Sequence, residues 1–280
     1  MTFEIHHVSD SFEVLRSGAD GEFDVIITDP PYDAHCQNNQ SSGTMMKELL
    51  TGKRKGGIPK IELPFDPLTD YAHTRDLVRI AKRWVVHFNT LEAFGPIRAA
   101  NGVDIKKGNQ IEYDGDYVRG CVWLKLNAMG QLTKDRPASN YEGISLLHRR
   151  SEKLRWNGNG GYGTWACNGT RGEGRATEAN PSPMPRHPNQ KPLDLCLKLV
   201  ALFSERGETV FDPFAGSGRI GEACVLLGRN YVGLDNSEEW VKNATDRLWE
   251  VHSDGVPVTD EAALRLCTVK KSEILEESES

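Results

Sequence analysis

Long apolar runs are missing from this sequence. None of its 280 residues lies in an apolar stretch that approaches the roughly 20 residues a membrane-spanning helix needs. The segment from Met1 to Ser9 also lacks the basic region followed by an apolar region that is typical of a secretory signal. We therefore expect a cytoplasmic protein without a membrane partner.

Closely spaced cysteines are missing as well. The sequence has six cysteines and no CxxC pair: Cys36, Cys121, Cys167, Cys196, Cys224 and Cys267. This scatter disfavours both a disulfide framework and a cysteine-based metal site. We expect reduced thiols and no bound metal.

Positive charge is in deficit overall, with a formal net charge of −6, but it is unevenly distributed. Residues 119–191 hold 12 Lys or Arg against 5 Asp or Glu, whereas residues 235–280 hold 5 against 12. A second basic stretch, 36–63, holds 5 against 2. Basic segments of this kind suit contact with phosphates, although solvated loops with incidental charge explain them too.

Apolar periodicity predicts an α/β protein, because strands and helices alternate over most of the chain. Predicted strands are 23–28, 84–88, 117–126, 143–148, 209–211 and 231–234, and predicted helices are 74–84, 192–203, 220–227 and one that begins after Ser237. The glycine-rich region 149–187 shows no period, and after about residue 252 the chain becomes an acidic tail. The α/β order therefore resumes beyond an irregular middle region.

The sequence Asp212-Pro-Phe-Ala-Gly-Ser-Gly follows a predicted strand and precedes a helix. Its glycines allow the backbone to approach a ligand closely at the helix N-terminus. The motif lacks the Lys-Ser/Thr of a P-loop and the full GxGxxG of a dinucleotide fold. Asp235, at the end of the next strand, could accept both hydroxyls of a ribose, or it could cap the helix that follows.

A second motif, Asp29-Pro30-Pro31-Tyr32, ends the first predicted strand. The exocyclic amine of adenine or cytosine is a poor nucleophile, because its lone pair is delocalised into the ring. The Asp29 carboxylate and the Pro30 carbonyl can accept its two N–H bonds and direct the lone pair at a methyl group. The prolines stiffen the backbone, and Tyr32 offers a ring for stacking on an extruded base.

Four blocks together carry a family resemblance: TDPPYD at 28–33, HPNQKP at 187–192, FDPFAGSGR at 211–219 and GLDNSEEW at 233–240. The combination resembles the S-adenosylmethionine-dependent DNA amino-methyltransferases, and the order of the blocks is similar to that of the β-class. The resemblance implies a Rossmann-like sheet with helices on both faces and an inserted variable target-recognition region. It also implies S-adenosylmethionine as cofactor and double-stranded DNA, with a flipped base, as substrate.

Site residues follow from the blocks and from the basic segments. The resemblance implies that the catalytic residues are Asp29, Pro30, Pro31 and Tyr32. The predicted cofactor-binding residues are Asp10, Asp29, Lys191, Asp212, Phe214, Ala215, Gly216, Gly218, Asp235 and Asn236. The predicted DNA-binding residues are Lys53, Arg54, Lys55, Arg149, Arg150, Arg171 and Arg175. One departure from the family is Arg219, where threonine most often stands.

The predicted organisation has four parts. They are a catalytic half with a basic loop at 34–66 (1–126), a variable region for target recognition (127–187), a cofactor-binding half (188–252) and an acidic tail (253–280). We expect an adenine-specific enzyme of the restriction-modification type, because Asp at the first position of DPPY is more typical of adenine enzymes in the family that the sequence resembles. A homodimer is one expected assembly.

Several alternatives to this reading stay open. They are methylation of cytosine N4, methylation of an RNA base or of a protein glutamine, and a catalytically idle DNA-binding relic. Asp29 weighs against the RNA-base and glutamine enzymes, which mostly have Asn at this position. No cysteine lies in a Pro-Cys context, which argues against methylation of cytosine carbon 5.

Overall fold

The computed structural model describes residues 1–31, 71–102, 116–130, 135–170 and 189–268, together with the backbone of two short strands at 105–107 and 110–112. The strands are β1 (Phe3–His7), β2 (Val25–Thr28), β3 (Trp84–Asn89), β4 (Ile105–Lys107), β5 (Gln110–Glu112), β6 (Tyr117–Lys125), β7 (Tyr141–His148), β8 (Thr164–Cys167), β9 (Thr209–Asp212) and β10 (Asn230–Asp235). The helices are α1 (Ser11–Ser17), α2 (His73–Ile80), α3 (Phe94–Asn101), α4 (Leu193–Phe203), α5 (Arg219–Leu227), α6 (Glu238–Asp254) and α7 (Asp260–Arg265), with a 3₁₀ turn at Leu91–Ala93. Within these ranges no helix is long and apolar enough to cross a membrane.

One eight-stranded sheet organises the molecule, in the order β1-β10-β9-β2-β3-β7-β6-β8. The first five strands in this order are parallel, β7 is antiparallel to both of its neighbours, and β8 is parallel to β6. β4 and β5 form a separate antiparallel pair. The predicted α/β class is confirmed, and the predicted strands 117–126 and 143–148 are β6 and β7, which pair antiparallel.

Helices cover both faces of the sheet, which explains why its central strands are apolar throughout. All residues of β2 and β3 are buried, as expected for parallel strands with both faces covered. Val25 and Ile27 pack in the apolar cluster under α4, α5, α6 and α7, whereas Ile26 packs in a second cluster under α1, α2 and α3. The sheet is therefore the middle of three layers.

The switch in strand order falls between β2 and β9, which lie side by side with Val25 opposite Val210. From β2 the chain proceeds to β3 on one side, and from β9 it proceeds to β10 on the other. In sheets of this kind ligands bind beyond the carboxyl ends of the strands at the switch point. The Asp29 and Asp212 motifs follow these two neighbouring strands, so they meet at that edge.

Three predictions about regular structure were wrong. Region 149–187 was expected to have no regular structure, yet β8 pairs with β6 and buries Trp165 and Cys167. The sequence did not reveal this strand, because four residues are too few to show a period. The acidic tail was expected from residue 253, but α7 begins after the Thr259 cap and buries Ala263. The helix predicted over 74–84 is α2, which ends at Ile80 because the chain there turns to bond residues 23 and 24.

The predicted domain boundaries cut through this single sheet. The region assigned to target recognition, 127–187, supplies β7 and β8, and β7 lies next to β3 in the middle of the sheet. That region therefore contributes to the apolar core as well as to the surface. Its part in recognising DNA stays a prediction.

Candidate active site

A cleft of about 670 Å³ opens at the carboxyl ends of β2, β9 and β10. Eleven of the residues predicted from the sequence line it: Asp10, Asp29, Pro30, Pro31, Lys191, Asp212, Phe214, Ala215, Gly216, Asp235 and Asn236. Its volume lies in the range of roughly 300–1,000 Å³ that is usual for cofactor sites. The structure thus brings segments that are far apart in the sequence into one pocket.

Asp212 ends β9 and joins the two motifs. Its Oδ1 accepts hydrogen bonds from Thr28 Oγ1 at 2.9 Å and from the Phe214 backbone N–H at 3.1 Å. Burial, together with the nearby carboxylates of Asp29 and Asp235, raises the pKa of Asp212 to about 7, although the two hydrogen bonds oppose the shift. This carboxyl therefore fixes the loop after β9 against the end of β2.

The raised pKa of Asp212 gives a testable dependence of stability on pH. The pKa is about 7 in the folded protein and about 4 in an unfolded chain, so the folded state binds this proton more tightly. The resulting stabilisation is complete below about pH 4 and is lost as the pH rises to about 7. Relative to Asp212→Asn, the free energy of unfolding of the parent should fall by up to about 1.4 kcal/mol per pH unit across that window. Denaturant titrations at several pH values measure this, and parallel stability curves would contradict it.

The glycine loop between β9 and α5 needs backbone conformations that side chains disfavour. Gly216 has φ +49° and Gly218 has φ +75°. A Cβ on Gly218 would lie 2.9 Å from the Cβ of Ala244 in α6, so this glycine permits close packing of α5 and α6. Gly216 lines the cleft, but the structure does not place Gly218 among its lining residues. Gly218 thus has a packing role, and its contact with the cofactor stays a prediction.

Asp235 ends β10 and faces the glycine loop. Its Oδ2 accepts from the Gly216 N–H at 2.8 Å and its Oδ1 accepts from the Ser237 N–H at 2.9 Å. The cap of α6 is Ser237 itself, whose Oγ accepts from the Trp240 N–H at 3.3 Å. Asp235 therefore holds the loop and lines the cleft, whereas Ser237 caps α6.

The start of α1 forms another part of the cleft wall. Asp10 caps this helix, accepting from the Phe12 N–H at 2.8 Å. The Phe12 ring lies 5.3 Å from the Phe214 ring, so an aromatic pair borders the loop. Trp240, in the first turn of α6, also lines the cleft.

At the other end of the cleft, Asp29 is held by a lysine from the NQKP block. Lys191 Nζ lies 2.6 Å from Asp29 Oδ2 and 3.1 Å from Glu142 Oε2, and only 6% of its side chain is exposed. Burial on its own lowers the pKa of Lys191, but the two carboxylates outweigh it and raise that pKa above its ordinary value. The ammonium group is therefore charged and contacts the DPPY aspartate, and the contact of Lys191 with the cofactor stays a prediction.

The cleft suits S-adenosylmethionine in its volume and in its lining. Four aspartates line it, Asp10, Asp29, Asp212 and Asp235, together with the basic Lys191 and Arg219, so the lining holds groups of both charge signs, as the ligand does. Asp235 at a strand end suits a ribose, and the backbone at Gly216 carries no side chain that would block approach.

Comparison with known proteins agrees with this geometry. A model of the N6/N4 methyltransferases, described as DNA methylases, matches residues 101–246, which is more than half of the chain. The chain belongs to this DNA methylase family. The type II methyltransferase M.Cfr9I of Citrobacter freundii is 30% identical over 258 residues, covering 85% of each protein.

Solved structures share the fold of this methylase. The M1.HpyAVI–SAM complex aligns with 88% of the chain and 99% of its own, with a TM-score of 0.56 at 20% identity. The PvuII DNA methyltransferase, described as cytosine-N4-specific, aligns with 92% of the chain and 94% of its own, with a TM-score of 0.54 at 12% identity. Likeness at these identities concerns the fold alone. The family depends on S-adenosylmethionine as its methyl donor.

Some predicted site residues of this methylase are not brought to the cleft. Arg149 and Arg150 directly follow β7, whose last residue, His148, lies opposite the first residue of β3, Trp84. They therefore lie at the opposite edge of the sheet, where Arg149 Nη2 is 3.5 Å from a carboxylate oxygen of Asp20. They do not line the cleft, and their contact with DNA stays a prediction. Outside the described residues lie Tyr32, Lys53, Arg54, Lys55, Arg171 and Arg175.

The sequence analysis missed Glu142 and Phe12. Glu142 is the second residue of β7, an otherwise mostly apolar strand (YEGISLLH), and only 17% of its side chain is exposed. A charged residue in such a strand is a signal for a buried ion pair, but the sequence does not identify its partner. For Phe12 no comparable signal exists, because apolar residues in short helices are common.

Proposed function

We propose that this methylase transfers a methyl group to the exocyclic amine of a base in double-stranded DNA, and that the base is adenine, at N6. The observation that carries the proposal is the position of Asp29. Its carboxylate lies at the end of β2 on the wall of the cofactor cleft, with Pro30 and Pro31 beside it. A group that binds an amine and a cleft that suits the methyl donor thus share one edge of the sheet.

The cofactor end of the cleft is assigned to the loop after β9 and the end of β10. Asp235 would accept the ribose hydroxyls, the backbone around Gly216 would lie against the methionine portion, and the Phe12–Phe214 pair would border the ligand. When bound, S-adenosylmethionine supplies an electrophilic methyl group. All other contributions come from the orientation that these residues impose.

The amine end is assigned to the DPPY motif. Asp29 and the carbonyl of Pro30 would accept the two N–H bonds of the amine, so that its lone pair points at the methyl group. An amine inside a stacked duplex cannot reach this cleft, and the base must therefore be flipped out of the helix. Tyr32 is proposed to stack on the flipped base.

Alignment is the main catalytic contribution in this proposal. β2 and β9 are neighbours, and the Thr28 hydroxyl bonds Asp212, so the amine end and the cofactor end are fixed relative to each other. Holding two reactants in an in-line arrangement converts a bimolecular step into an effectively unimolecular one.

Recognition of a specific DNA sequence is assigned to the variable region and to the basic loop at 34–66. The relative M.Cfr9I is named as a type II methyltransferase, which supports a site-specific enzyme of the restriction-modification type. The excess of Lys and Arg in these two regions suits contact with phosphates.

The choice of adenine is testable through the reaction product. Duplex DNA containing many sequence contexts is incubated with the protein and S-adenosylmethionine, digested to nucleosides and analysed by mass spectrometry. We expect N6-methyladenine, because Asp at the first position of the tetrapeptide resembles the adenine-specific enzymes. The Asp29→Asn variant serves as the control for a contaminating methylase.

The outcome tests the choice of base independently of the proposed mechanism. N4-methylcytosine without N6-methyladenine would show that the choice of base is wrong, while the same carboxylate chemistry would still apply. The fold itself supports both products, since the cytosine-N4-specific PvuII enzyme shares it.

A further inference from the structure

Four charged side chains form a continuous chain of ion pairs across the sheet. Lys125 Nζ at the end of β6 lies 2.5 Å from Glu142 Oε1 in β7, and Glu142 Oε2 lies 3.1 Å from Lys191 Nζ. Lys191 precedes α4 and reaches Asp29 after β2 at 2.6 Å. The chain thus connects the outer part of the sheet with the DPPY motif.

Burial makes these contacts interdependent. The Lys191 ammonium is almost fully enclosed and lies 4.9 Å from the centre of the Phe88 ring. A buried charge is tolerated when it is paired, and removing one partner of such a group is costly. Two lysines and two carboxylates balance each other, so each member keeps the next one charged and in place.

We propose that Glu142 is a positioning residue for methyl transfer: through Lys191, it keeps the Asp29 carboxylate oriented and able to accept the target amine. Glu142 is not among the residues that line the cleft, so it acts through another side chain. The inference rests on the proposed function of Asp29.

The physical reason lies in how Lys191 divides its bonds. With Glu142 ionised, the ammonium is shared between two carboxylates, and Asp29 retains capacity to accept from the substrate. If the Glu142 charge is removed, the buried ammonium is neutralised less completely and binds Asp29 more closely. Lys191 then competes with the target amine for the same carboxylate, and turnover falls.

Glu142→Gln tests this, because it keeps the shape and removes the charge. With the full-length protein, duplex DNA and saturating S-adenosylmethionine, we expect kcat to fall by about 10- to 100-fold, the loss typical of a charged hydrogen bond. Cofactor affinity by calorimetry should stay unchanged, because Glu142 does not reach the cofactor end. Glu152→Gln, an exposed glutamate four residues after β7, is the matched control and should retain the parent rate.

The pH profile distinguishes positioning from a merely structural role. The ionisable groups around Lys191 are Asp29 after β2, Glu142 in β7, Lys125 in β6 beyond it, and the buried thiol of Cys196 in α4. In the parent, Asp29 and Glu142 together raise the pKa of Lys191. In Glu142→Gln burial is opposed by fewer carboxylates, so the pKa of Lys191 falls. At an alkaline pH where Lys191 is neutral in the variant and still charged in the parent, Asp29 loses the ammonium that orients it, and the variant should lose activity.

A second variant covers the case in which Glu142→Gln does not fold. Lys125→Gln combined with Glu142→Gln removes one charge of each sign, so the net charge is kept, and it should show the same loss of kcat and the same alkaline shift. Folded variants with the parent kcat and pH profile would overturn the inference while leaving the proposed function intact. A parent protein that transfers no methyl group to DNA would contradict the proposed function, and the inference with it.

Discussion

Replacing Asp29 with asparagine is expected to lower the rate of methyl transfer by roughly 10²- to 10³-fold, the usual loss when one preorganised hydrogen-bonding group is removed from an active site. The asparagine amide can present an N–H where the target amine needs an acceptor, and it gives Lys191 no charge to pair with. Asp29→Ala, which removes both oxygens, should abolish transfer. Single-turnover kinetics with labelled S-adenosylmethionine measures the effect.

Cofactor binding should survive these changes, because Asp235 and the glycine loop lie at the other end of the cleft. Calorimetry with S-adenosylmethionine therefore separates loss of chemistry from loss of the site. Asp254→Asn, at the exposed end of α6, is a suitable control for a surface aspartate. A parent-like rate in folded Asp29→Asn would show that this carboxylate does not bind the amine.

Asp235→Ala is expected to weaken the binding of S-adenosylmethionine by about 1.5–3 kcal/mol, roughly 10- to 150-fold, through loss of charge-assisted hydrogen bonds. Two effects contribute. The ribose loses its acceptor, and the Gly216 and Ser237 N–H groups lose the carboxylate that orders the loop. Calorimetry with the purified variant gives the change in Kd directly.

Asp235→Asn separates the two effects, because its remaining oxygen can still accept one of the backbone N–H bonds. We expect its cofactor affinity to lie between those of the parent and Asp235→Ala. Unchanged affinity in a folded Asp235→Ala variant would contradict the ribose assignment.

The meeting of the two main motifs could be predicted because each carries a local signal. An apolar predicted strand leads into each of TDPPY and FDPFAGSG, and each motif contains proline or glycine residues that end a strand. Each motif must therefore lie at a strand end. That β2 and β9 are neighbours does not follow from either segment alone. The bond from Thr28 to Asp212 confirms that they are.

Contacts that depend on strand register could not be predicted. Glu142 reaches Lys125 because β7 pairs with β6 so that Glu142 lies opposite Trp123, two residues before Lys125, and no property of either segment fixes that register. β8 could not be predicted for the same reason, because its four residues form a strand only by pairing with β6. α7 likewise buries one alanine beside α4, a contact too small to leave a periodic pattern.

Gly218 shows that a residue of a recognised motif can have a packing role that the sequence does not reveal. It has a positive φ, and a Cβ there would lie 2.9 Å from the Cβ of Ala244 in α6. Only the packing of α5 against α6 reveals this.

The measurement that bears most directly on the central claim is transfer of a labelled methyl group from S-adenosylmethionine to duplex DNA, RNA and protein, assayed side by side with the parent and with Asp29→Asn. We expect label in DNA alone, on an exocyclic amine, and a loss of that label in the variant. Label in RNA or in protein, or equal label in DNA from both proteins, would contradict the assignment of Asp29 as the group that binds a DNA base for methylation.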